Sequence, residues 1–244
     1  MRAWAAQART ELLLTSRQGE QLLVSLGIPL LLLVFFSLVE VLPVPDGVDD
    51  AVDFLVPGVL ALAVMSTAMV SLGIGTGFER QYGVLKRLAV TPLGRPRLVA
   101  AKIAAVLAVE AAQVVLVLGT GVALGWRPDG ADAIVVLPGL LLGTAAFAGI
   151  GLLMAGTMRG TLTLALANAL YLLLLLLGGM IIPLESLPAA LEAVAQLLPA
   201  AALAEIMAGA LTPDTPISTQ AWVVLTLWAV AAPTAAAMLF RWEE

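Results

Sequence analysis

Very few side chains in this 244-residue chain could carry chemistry. It has no cysteine and no histidine. That removes thiolate metal sites, cysteine nucleophiles, imidazole general bases, serine–histidine pairs and histidine haem ligation. The remaining candidates are charged or polar groups in a few places. Glu79, Arg80, Lys86 and Arg87 lie in the polar stretch Phe78–Arg97, FERQYGVLKRLAVTPLGRPR. Glu110, with Gln113 one turn later, interrupts an apolar run, and Asn168 and Tyr171 interrupt another. Asp46, Asp49, Asp50 and Asp53 are the dense acidic group. They read as a solvated loop rather than a metal-binding or catalytic cluster.

The chemistry open to these groups is recognition. As a helix, Phe78, Tyr82, Leu85 and Ala89 fall on one face, and Glu79, Arg80, Lys86 and Arg87 on the other. Such a segment, held between two membrane spans, is well placed to touch something in the cytoplasm, or, for Lys86 and Arg87, anionic lipid. Pro92 is expected to stop it, and Gly94-Arg95-Pro96 to turn the chain into the next apolar run. A carboxylate such as Glu110 inside a membrane costs about 2.5–3.5 kcal/mol on insertion scales, so it calls for a reason. It could face a cationic amphiphile, pair with a basic group on another span, simply be protonated or reach the cytoplasmic interface, and Gln113 could hydrogen-bond it. Asn168 and Tyr171 read as hydrogen-bond partners between helices.

The elements that position these groups follow from composition. The chain is 61% hydrophobic and 12% charged, more apolar surface than a water-soluble domain can hide. Successive charges enclose six apolar runs of 19 to 26 residues, one of them interrupted by Glu110, and about 20 residues of helix cross the hydrocarbon. No ten-residue alternation suggests a barrel. The expected fold is therefore an all-α polytopic membrane protein with six transmembrane helices, at 21–42, 54–77, 99–124, 133–157, 161–182 and 217–240. Residues 1–20 read as an amphipathic interface helix rather than a cleaved signal, with Trp4, Ala8 and Leu12 on one side and Arg2 and Arg9 on the other.

Eleven of the twelve lysines and arginines fall on one side of these spans, all but Arg127, while the acids gather on the other. This places both termini and the 78–97 loop in the cytoplasm. Between spans five and six, residues 183–213 are apolar yet divided by Pro183, Pro188, Pro199 and Pro213. They are expected to form two short helices that dip into the outer leaflet and return. Glycines and alanines at four-residue spacing, such as Gly139/Gly143 and Gly151/Ala155, allow close helix approach.

Several stretches in this order resemble the permease subunit of ABC-2 type transporters, most closely the daunorubicin-resistance-like exporters of drugs or lipids. They are Asp53–Gly58 (DFLVPG), Glu79–Gly83 (ERQYG) with Thr91-Pro92, Gly178–Pro188 (GGMIIPLESLP) and Leu198-Pro199. The resemblance implies that Phe78, Glu79, Arg80, Tyr82, Gly83, Lys86 and Arg87 belong to a coupling helix docking on a separate cytoplasmic P-loop ATPase. It also implies that Pro183, Glu185, Pro188 and Pro199 belong to a re-entrant gate. The chain has no phosphate loop of its own, so ATP and Mg would be held by the partner and no cofactor by this chain. A second permease copy or a related permease is implied, in a bacterial plasma membrane, with lipid but no nucleic acid as a further partner. The expected role is export of a hydrophobic or amphipathic substrate. The alternatives are an ATP-independent secondary transporter or channel, which would want ionisable pairs where Glu110 stands alone, and an intramembrane enzyme.

Overall fold

A computed structural model describes residues 19–39, 50–89, 95–128, 132–213 and 215–241. Among these residues the secondary structure is helical, with no strand. The expected N-terminal amphipathic helix lies almost wholly outside the described residues, as do Thr91, Pro92 and Gly94.

Helix α1, Gly19–Leu38, contains Pro29. Helix α2 is one run from Ala51 to Gln81, whose 31 residues rise about 46 Å. It begins three residues before the expected span and ends four after it, so Phe78–Gln81 form the last turn of a spanning helix. Every residue from Leu55 to Met65 is buried, which requires neighbours on all sides. This helix is the axis of the bundle. Its middle, Met65–Ser71, is wound as a π-helix.

After α2 the chain breaks at Tyr82–Gly83 and resumes as α3, Val84–Ala89. Gly83 has a φ of +70° and donates its N–H to the Arg80 carbonyl, a left-handed helix ending that glycine adopts without a Cβ clash. The expected continuous amphipathic helix through Phe78 and Ala89 is thus corrected to two pieces. The spacing of Phe78, Tyr82, Leu85 and Ala89 carries no facial meaning across the break. Helix α4 runs from Arg95 to Ala123. The expected turn at Gly94–Pro96 is therefore already helical at Arg95 and Pro96, where a missing proline N–H leaves no intrahelical bond unmade.

Helix α5 occupies Ala133–Thr157, with Asp132 Oδ1 accepting from the Ile134 N–H at its start at 2.8 Å. Helix α6, Gly160–Leu177, stops short of the expected 182 because the chain turns at Gly178–Gly179, where Gly179 has a φ of +67°. A short 3₁₀ turn, Leu184–Ser186, precedes α7, Ala189–Ala195, and α8, Pro199–Leu211. These two helices meet at 83°. Helix α9, Thr219–Leu239, closes the bundle.

Among the described residues, five helices, α2, α4, α5, α6 and α9, are long and apolar enough to cross a membrane, or up to six if the bent α7–α8 pair counts as one span. The chain is a multi-pass membrane protein. Side chains such as Ile134, Leu137, Leu162, Leu172, Leu227 and Val230 point outward, as expected where lipid is the solvent. The interior is built on close approach of small residues. Gly139 and Gly143 of α5 face Ile206, Met207 and Leu203 of α8, and Gly151 lies against the backbone of Ala68 and Met69 in the π segment.

Candidate functional site

The helices alternate in direction, so the ends of α2, α5 and α9 and the starts of α4 and α6 gather at one end. That end carries Arg80, Lys86, Arg87, Arg97, Lys102, Arg159 and Arg241. It is called the basic end below, and the opposite one the acidic end.

At the basic end, the sequence candidates separate into buried and exposed groups. Arg80 is buried at 5% exposure. Its guanidinium donates to the carbonyls of Gly156 (3.1 Å), Met158 (2.6 Å) and Arg241 (3.3 Å). Glu79, the preceding residue, is paired with Lys102 of α4, whose Nζ lies 2.7 Å from each carboxylate oxygen. The expectation that Glu79 and Arg80 share an outward face with Lys86 and Arg87 is corrected. The break at Gly83 and the carbonyls of α5 draw Arg80 inward.

The exposed set is Tyr82, Lys86 and Arg87. The Tyr82 ring, 69% exposed, stacks on Phe78 with centroids 6.0 Å apart and planes 15° apart. Helix α3 packs on the bundle through an apolar side. Leu85 is buried against Leu98 of α4, with Leu88 and Phe240 beside them. This six-residue amphipathic helix, joined to α2 through the turn at Gly83, presents Lys86 and Arg87 outward.

Inside the bundle, Glu110 and Gln113 of α4 are both buried, but they bond to different helices rather than to each other. Glu110 Oε2 lies 2.7 Å from Thr144 Oγ1 of α5, and Thr144 Oγ1 also lies 2.8 Å from its own helix carbonyl at Leu140. Gln113 Oε1 accepts from Thr67 Oγ1 in the π segment at 3.0 Å. These bonds place four buried polar side chains where α2, α4 and α5 meet. Asn168 stands apart, exposed on α6 and donating to the Leu164 carbonyl of its own helix at 2.8 Å.

At the acidic end, Pro183 is buried and its carbonyl accepts from Ser186 Oγ at 2.6 Å. Glu185 and Pro188 are exposed, and Pro188 opens α7 by accepting from the N–H groups of Leu191 and Glu192. Pro199 is buried as the first residue of α8. Hydrogen bonds fasten the bent pair: Trp228 Nε1 to the Leu197 carbonyl (3.0 Å), the Ser218 N–H to Glu205 (2.7 Å) and the Asp132 N–H to the Ala210 carbonyl (2.8 Å).

Sequence reasoning did not single out Lys102, Thr67 or Thr144. For Lys102 a signal existed, because it falls on the same side of the membrane as Glu79 in the charge count. The two threonines are lone hydroxyls in apolar runs, which carry no periodic signal. No ionisable cluster suited to a metal occurs among the described residues. A family model described as ABC-2 type transporter matches residues 2–212. No curated protein matches the chain.

Proposed function

The chain belongs to the ABC-2 type transporter family, and from that membership we propose that it is the transmembrane permease of an ATP-driven exporter. The energy comes from a separate P-loop ATPase subunit that docks at α3, at the basic end, which is cytoplasmic. The observation that carries this reading is the short helix after Gly83, anchored by Leu85 and presenting Lys86 and Arg87 outward. Family membership supplies the expectation of an ATPase, and the charge asymmetry of the helix ends supplies the side.

Tyr82, stacked on Phe78, and the charges of Lys86 and Arg87 form the docking surface. Glu79 and Arg80 act behind it. ATP-driven closure of two ATPase subunits would push α3 and shift the bundle between two arrangements. The bent α7–α8 pair lies at the outer end and forms the gate, with Pro183, Glu185, Pro188 and Pro199 at its turns. Two permease copies, or this chain with a related one, build the pathway in a bacterial cell membrane. The substrate is hydrophobic or amphipathic, as in the daunorubicin-resistance-like exporters that the motifs resemble.

The test is co-expression with P-loop ATPase subunits encoded near the chain, followed by purification in detergent. The proposal expects a stoichiometric complex whose ATP hydrolysis changes on assembly. Substrate movement by the chain alone, driven by an ion gradient, would overturn it in favour of a secondary transporter.

A further inference from the structure

A helix leaves its last carbonyls without intrahelical donors, and these carry the negative end of the helix dipole. At the basic end, carbonyls from two helix ends converge on one side chain. Gly156 lies in the last turn of α5 and Met158 just beyond it, while Arg241 follows α9. All three accept from Arg80. The two chain ends also touch each other, because the Arg241 N–H donates to the Gly156 carbonyl at 3.0 Å.

Arg80 is the penultimate residue of α2, three residues before the turn at Gly83. Its neighbour Glu79 reaches α4 through Lys102. Two side chains adjacent in sequence therefore fasten the end of α2 to three other helices, immediately before the segment that leads into α3. A planar guanidinium can spread donors over separated carbonyls, whereas an ammonium is a single point of charge.

We propose that Arg80 is a positioning residue that makes the basic ends of α2, α5 and α9 move as one piece when α3 is displaced. This rests on the reading that α3 receives force from an ATPase. It gives Arg80, which lies behind the docking surface in that reading, the role of the internal joint that carries the push onward. Without this joint, motion of α3 would be absorbed by bending of the last turn of α2, and α5 and α9 would lag.

The absence of cysteine allows a direct test. Spin labels at Gln81→Cys and Thr157→Cys, both exposed positions at the ends of α2 and α5, report the joint. The labelled chain is assembled with its ATPase in lipid nanodiscs, and the distance is measured without nucleotide and after trapping with ATP and vanadate. With Arg80 present, one narrow distance is expected in both states. With Arg80→Gln, the distance should broaden or split on trapping while ATP is still hydrolysed, and Arg80→Lys should fall between. If Arg80→Gln yields no folded protein, Arg80→Lys makes the same comparison. A distance that shifts on trapping with Arg80 intact, or one unaffected by either substitution, would overturn the proposal and leave the transporter reading standing. If no ATPase assembles with the unsubstituted chain, the transporter reading fails, and this inference fails with it.

Discussion

The carbonyl of Met180 lies so close to Gly58 that a Cβ at position 58 would overlap it. Met180 is fully buried, and the turn at Gly179 points its backbone at α2. Two stretches far apart in sequence, DFLVPG and GGMIIP, are thus one contact between the axial helix and the bend that follows α6. Neither glycine-containing motif needs a ligand to explain its composition. They fit each other.

Replacing Gly58 by valine therefore pits a side chain against backbone, which cannot rotate away. Overpacking of this kind costs about 1–3 kcal/mol. The expected result is a lower yield of monodisperse protein and a melting temperature down by about 5 °C or more. Gly119→Ala in α4, where a new Cβ meets nothing within 4 Å, is the control and should be neutral or slightly stabilising. Thermal unfolding in detergent, followed by tryptophan fluorescence, measures both.

The Glu79–Lys102 pair joins side chains of 28% and 7% exposure. Removing one partner costs the other its ion pair in a partly dry site. Glu79→Gln and Lys102→Met should each destabilise the protein, and the double variant should lose less than the sum. The expected coupling energy is about 1–3 kcal/mol. Additive losses in a double-mutant cycle would mean that the two charges do not depend on each other.

In the membrane interior, Thr144 is the partner of Glu110. Thr144→Val leaves a buried carboxyl without that bond, a loss of about 1–3 kcal/mol. Replacing both partners with apolar groups removes the orphaned atom as well. The pair Glu110→Leu with Thr144→Val should therefore be at least as stable as Thr144→Val alone. Melting temperatures of the three variants decide this, and transport assays on the stable double variant then separate function from folding.

The spans were legible because composition alone dictates them. The run between Asp132 and Arg159 contains the helix Ala133–Thr157 despite Pro138, because charges bound both ends and a backbone in lipid must satisfy its own hydrogen bonds. The segment around Gly83 was not legible. Helical spacing from Phe78 to Ala89 persists across Gly83, and spacing says nothing about a φ of +70°. Arg80 looked like a surface charge because its partners, carbonyls at the ends of α5 and α9, are backbone atoms that no motif announces. The π winding at Met65–Ser71 likewise has no composition cue. It coincides with the site where Thr67 meets Gln113 and where Gly151 admits the backbone of α2. Tertiary contacts, not local propensity, set that geometry.

The central claim is that α3 is where an ATPase meets this chain. The most direct measurement is site-specific cross-linking from single cysteines placed in the cysteine-free sequence. One goes at Arg87 on α3 and one at the exposed Glu185 at the opposite end, each in the chain co-expressed with its ATPase in native membranes. A short photoactivatable maleimide should give a covalent adduct with the ATPase from position 87 and none from position 185. An adduct from position 185, or none from 87 while the complex still copurifies, would contradict the account.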